Sequence, residues 1–112
     1  MVGGVTRMEY TEGGFEWDVA KSEVNLDKHG VDFSTARQIW AGFYLPVSVK
    51  RVFLRELPDG RTVKERRWKA VGTIQGELWT ALYTLRNGRV RIISCRQATD
   101  RERSEYDRRL YG

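Results

Sequence analysis

The chain has 112 residues, of which 40% are hydrophobic, 12% aromatic and 31% charged, with a net charge of +5, one Cys and one His. Such a chain is one globular domain with room for its own core. A disulfide scaffold is excluded, a four-ligand structural zinc site is not expected, and no apolar run approaches the ~20 residues of a membrane-spanning helix. The first residues, Met1-Val2-Gly3-Gly4-Val5-Thr6-Arg7, have no apolar stretch behind a basic start, so a cytoplasmic location is expected.

Residues 1–14 lack periodicity and are read as a flexible lead to one domain over 15–112. Phe15-Glu16-Trp17 alternates as a short strand does. Asp18 then caps a helix over 19–28, with Ala20 and Val24 on one face and Gly30 supplying the left-handed C-terminal residue. Val31 and Phe33 return to the core. Ser34 is expected to cap a second helix over 35–41, with Ala36, Ile39 and Trp40 inward.

The remainder reads mainly as sheet. Strands are expected over 47–57, 66–74, 78–86 and 89–96, with Pro58-Asp59-Gly60, Gln75-Gly76-Glu77 and Asn87-Gly88 as turns. Asn87-Gly88 calls for a two-residue type I′ hairpin. Thr99 and Glu102 form a capping box that opens a last helix over about 100–111. The expected fold class is α+β, with two N-terminal helices, an antiparallel sheet of about four strands and a C-terminal helix.

Charge is divided between the halves. Residues 1–49 carry four basic and seven acidic groups, whereas 50–112 carry sixteen basic and eight acidic ones, most of the basic ones arginine. The planar donor fork of arginine fits phosphate, so a polyanion partner is indicated. The hairpin register sharpens this. It sets Arg86 opposite Arg89, Leu85 opposite Val90 and Thr84 opposite Arg91, which leaves one face apolar and the other basic at its turn end. Like charges directly opposite destabilise a sheet; an acidic partner chain or an RNA phosphate would relieve them, as would Glu side chains elsewhere in the chain or splaying into water. Strict alternation puts Arg96 on the face opposite Arg91, anchoring the last helix through Glu102 unless a bulge turns it. Cys95 reads as a small buried residue, and Ser94 has no His near it in sequence to activate it.

Phe15-Glu16-Trp17-Asp18, Lys21, Asn25, Lys28-His29-Gly30-Val31 and Phe33 resemble the opening of BrnT-type toxins. Glu65-Arg66-Arg67-Trp68 with Gly72 resembles their central segment. Tyr83-Thr84, Arg91-Ile92-Ile93-Ser94-Cys95-Arg96, Ala98-Thr99, Glu102-Arg103 and Tyr106 resemble their end. The likeness covers about 15–106; residues 43–64 look longer and more basic than the family's middle.

The resemblance implies a RelE-like fold and a ribonuclease toxin of a type II toxin–antitoxin pair. It further implies neutralisation by a ribbon-helix-helix antitoxin, with operator DNA bound only through the complex. No metal or other cofactor is expected, since RNA's own 2′-hydroxyl can attack the phosphate. In this reading Arg67 and Arg91 clamp the phosphate, unless Arg67 simply pairs with Glu65 or Glu56, Arg86 and Arg89 hold flanking backbone, and His29 moves a proton or only caps its helix. Lys21, Lys28, Arg96 and Tyr106 are further candidates for RNA contact, Tyr106 by stacking on a base unless its helical face is core. The competing reading is a non-catalytic module that only contributes to a repressor complex.

Overall fold

The computed structural model describes residues 9–112, with side chains from Gly13 onward. Of the lead expected over 1–14, residues 1–8 lie outside the described residues. The strands are β1 (Glu9–Glu12), β2 (Phe15–Asp18), β3 (Tyr44–Ser48), β4 (Phe53–Glu56), β5 (Thr62–Glu65), β6 (Trp68–Ile74), β7 (Glu77–Arg86) and β8 (Arg89–Gln97). The helices are α1 (Val19–His29), α2 (Phe33–Ala36), continued by a 3-10 turn over Arg37–Ala41, and α3 (Asp100–Tyr111). The class is α+β as expected, but the sheet is larger and mixed. Six strands run in the order β1-β2-β8-β7-β6-β3, and β4 and β5 form a separate hairpin.

Local signals explain most element ends. Asp18 accepts from the Ala20 and Lys21 N–H groups, and Gly30 at φ 82° lets its own N–H close on Leu26. Asn87 and Gly88, at φ 53° and 77°, make the type I′ turn between β7 and β8. The Thr99–Glu102 capping box is formed in full. The second helix is shorter than expected, and its cap is Asp32, whose carboxylate accepts from Thr35 N–H, in place of Ser34.

Two departures from simple alternation shape the molecule. First, β2 pairs with β8 in parallel, Phe15 opposite Val90 and Glu16 opposite Arg91. The β1–β2 hairpin, whose first strand is built on residues expected to belong to the lead, thereby extends the sheet. Second, the expected β7–β8 register holds from Arg86/Arg89 to Tyr83/Ile92 and then slips by one residue, so Leu82 faces Ser94. Such a bulge reverses every later side chain. Cys95 joins Ile92 in the core, and Arg96 moves to the other face of the sheet.

Ala70 and Val71, neighbours in β6, show the resulting layers. Ala70 belongs to the larger core under α1, α2 and the 3-10 turn, with Phe33, Ile39, Trp79 and Tyr83. Val71 belongs to a smaller core under α3, with Leu45, Ala98 and Tyr106.

The buried face of α1 is polar. Val24 is 56% exposed, while Ser22 and Asn25 are buried, the reverse of the apolar spacing. The Asn25 amide donates to the carbonyls of Cys95 (2.8 Å) and Val31 (2.7 Å) and accepts from Cys95 N–H (3.0 Å). It acts as a short strand partner for β8 just after the bulge. Asn25→Leu is expected to lower stability by about 3 kcal/mol, because buried backbone groups lose their partners; urea unfolding measures this.

Candidate functional site

Glu65 ends β5 and is followed at once by Arg66 and Arg67, so its buried carboxylate lies where the β4–β5 hairpin meets the main sheet. Its Oε2 accepts from Arg86 Nε (3.1 Å) and Nη2 (2.8 Å), and its Oε1 from Arg67 Nε (3.1 Å). Arg55 Nε lies 3.0 Å from Oε2 but is not aligned for a hydrogen bond. Three guanidinium groups thus converge on one carboxylate from three strands or their ends, leaving the cluster with a positive excess. Burial alone would raise the Glu65 pKa. The hydrogen bonds and charges of Arg86 and Arg67 outweigh it and hold the carboxyl below its ordinary value.

The cluster borders a hollow of about 170 Å³, lined among others by Arg55, Lys64, Arg66 and Arg86 but by neither Arg67 nor Arg91, the expected phosphate clamp. Arg67 is further fixed by Phe53, whose ring centroid lies 4.1 Å from the guanidinium carbon. Burial lowers the Arg86 pKa, Glu65 offsets this, and the charges of Arg91 and Arg55 lower it further. Arg91 and Arg86 are therefore within electrostatic reach of each other. Arg91 is itself buried and paired with Glu16 at 3.4 Å, a contact made possible by the parallel β2–β8 pairing. Arg89 faces Arg86 across the turn, as the register required, and forms no ion pair among the described residues.

The other candidates lie elsewhere. His29, Lys21 and Lys28 share a second cavity of about 310 Å³ with Val24 and Ser94, and neither Arg67 nor Arg91 lines it. The expected grouping of His29 with Arg67 and Arg91 is therefore not what the fold brings together. Arg96 donates in bidentate fashion to Glu102 (2.8 and 3.1 Å), beside Lys69 (3.1 Å) and Thr80 (2.9 Å) on the same carboxylate. The bulge thus places Arg96 in the anchor of α3. Tyr106 is 6% exposed, packed edge-on against Phe43 with ring centroids 5.3 Å apart, and has no open face for a base. The Arg67–Glu65 pair was open to sequence reasoning as an alternative and is formed, but that the same carboxylate also gathers Arg86 and Arg55 was missed. The only local signal was the run Glu65-Arg66-Arg67, because the return of β5 toward Arg86 is a tertiary fact.

The fold and site define a small α+β domain that presents ordered guanidinium groups around a buried carboxylate, a surface suited to phosphate chains. A family model for BrnT, described as the ribonuclease toxin of a type II toxin-antitoxin system, matches residues 17–102. The chain belongs to this family, and RNA as target and an antitoxin as partner follow at that level. No match is found among the curated proteins. No helix of the described residues is long and apolar enough to cross a membrane.

Proposed function

We propose that the protein cleaves RNA without a metal, with the Glu65-centred arginines stabilising the reacting phosphate. The observation that carries this reading is the convergence of Arg55, Arg67 and Arg86 on one carboxylate. Glu65 uses only part of each donor fork, so N–H groups of Arg67 and Arg86 remain for a ligand while their positions are set in advance. The RNA 2′-oxygen bonds to the adjacent phosphorus as the bond from phosphorus to the 5′-oxygen breaks. A proton leaves the 2′-hydroxyl, and one is delivered to the departing 5′-oxygen. Arg67 and Arg86 meet the charge that builds on the phosphoryl oxygens, and Arg89 and Arg91 favour the flanking backbone. His29, in its separate cavity with Lys21 and Lys28, stays a candidate for proton transfer only if bound RNA reaches from the hollow to that cavity.

A ribbon-helix-helix antitoxin that covers this cationic surface is the proposed partner, with operator DNA reached through the complex in the cytoplasm. The positive excess around Glu65 supports an acidic segment as the covering element. Incubation of purified protein with RNA in excess chelator, followed by end-group analysis, tests the chemistry. The expected products carry 2′,3′-cyclic phosphate and 5′-hydroxyl ends. Cleavage that appears only on adding Mg²⁺ would overturn the mechanism. A folded, antitoxin-binding protein that never cuts RNA would favour the non-catalytic repressor module.

A further inference from the structure

The β4–β5 hairpin and its flanks carry more positive charge than their own acids neutralise. Residues 50–67 hold seven basic and three acidic groups. Arg61 is paired with Asp59 at 2.7 Å, and Arg55 and Arg67 with Glu65. Lys50, Arg51, Lys64 and Arg66 form no ion pair among the described residues, and all four are exposed. They line a single groove of about 390 Å³, whose wall includes Ser48 and Val49.

This groove adjoins the hollow beside Arg86, since Lys64, Glu65 and Arg66 line both. Its guanidinium groups are also oriented. Arg51 lies 5.0 Å from the centroid of Phe53, the ring whose centroid lies 4.1 Å from Arg67. Arg66 lies 5.7 Å from the centroid of Trp68 and donates to Ser48 Oγ at 2.9 Å. A guanidinium laid against a ring keeps its edge donors directed outward, ready for phosphate oxygens. Crowding unneutralised cations along one groove opposes folding, so the fold alone supplies no reason for them.

We propose that this groove holds the sugar–phosphate backbone of single-stranded RNA running beyond the cleaved phosphate, so the hairpin is a second RNA-binding subsite. The proposal rests on the reading of RNA as target. A charged groove with aromatic-backed arginines is the form that single-strand binding takes, and it tracks backbone without reading sequence. Because groove and hollow adjoin, the same strand occupies both, and affinity grows with RNA length.

The test is equilibrium binding of fluorescent 2′-O-methyl RNA, which lacks the attacking hydroxyl and stays intact. Oligonucleotides of about three and about twelve nucleotides are titrated at several salt concentrations against the full chain and against Lys50→Gln/Arg51→Gln. Both positions are exposed, and a thermal melt confirms that the variant folds. The double variant is expected to bind the long RNA about tenfold more weakly, with its log–log salt slope reduced by about 1.4, which is about 0.7 per lost phosphate contact. The short RNA discriminates far less between the two proteins. Equal affinities and slopes on the long RNA would overturn the proposal. So would weaker antitoxin binding with RNA binding unchanged, which would make the groove a protein contact, served by the exposed Val52 and Leu54. Because the probe resists cleavage, loss of the length effect leaves the chemistry standing. Conversely, an intact length effect in a protein that never cuts RNA would overturn the chemistry and not the subsite.

Discussion

Glu65→Gln is expected to slow RNA cleavage about hundredfold, because the arginines it aligns lose their common anchor. The glutamine amide is similar in shape but neutral, and its nitrogen turns a donor toward guanidinium groups that have only donors to offer. Arg67 and Arg86 then repel each other and Arg55 without compensation. Stability should fall by about 2 kcal/mol, less than for a fully buried pair, because the arginine side chains keep partial contact with water. Single-turnover cleavage and urea unfolding on the same preparation separate the two effects. The loss of rate should persist at low denaturant, where the variant is fully folded.

Glu102→Gln is expected to cost about 3 kcal/mol of stability and to change its dependence on acid. The Glu102 carboxylate is nearly buried and joins β6, β7, β8 and the start of α3 through Lys69, Thr80, Arg96 and the Thr99 N–H. Burial by itself would raise its pKa. The hydrogen bonds from Arg96, Thr99, Lys69 and Thr80 prevail and hold it far below the ordinary carboxylate range. A carboxyl depressed in the folded state stabilises fully above its unfolded pKa, near 4.3, and loses that contribution as the pH falls further. The wild type should therefore weaken steeply on acidification below about pH 5, with Glu65 adding in the same direction. The Glu102→Gln variant should start lower and show a shallower decline; chemical unfolding across this range reads both.

The parts legible in the sequence were those set by neighbours along the chain. The Asp18 and Gly30 caps, the Asn87-Gly88 turn, the Thr99–Glu102 box and the Arg86–Arg89 juxtaposition all follow from residues within a few positions of each other. What alternation concealed was decided by tertiary contacts. The bulge near Ile93 is stabilised by Asn25, 70 residues away from Cys95, and it moved Arg96 across the sheet. The buried face of α1 escaped notice because Ser22 and Asn25 are buried for their hydrogen bonds, with Phe33, Val31 and Cys95, and not for apolar area. The parallel β2–β8 contact that sets Glu16 beside Arg91 has no local signature. In the same way, the arginines were visible as a basic half, but that one carboxylate gathers three of them became evident only with the end of β5 placed beside Arg86 of β7.

The rate of single-turnover RNA cleavage in chelator by Arg86→Ala tests the role of the arginine cluster most directly. Glu65 keeps Arg67 and Arg55 in this variant, so the fold should persist. A second variant, Arg108→Ala, removes a surface arginine that pairs with Glu105 on α3 and serves as the control. Arg86→Ala should cleave about a hundred times more slowly than the wild type, with Arg108→Ala unaffected. A folded Arg86→Ala protein that cuts RNA at the wild-type rate would contradict phosphate stabilisation by the Glu65-centred arginines.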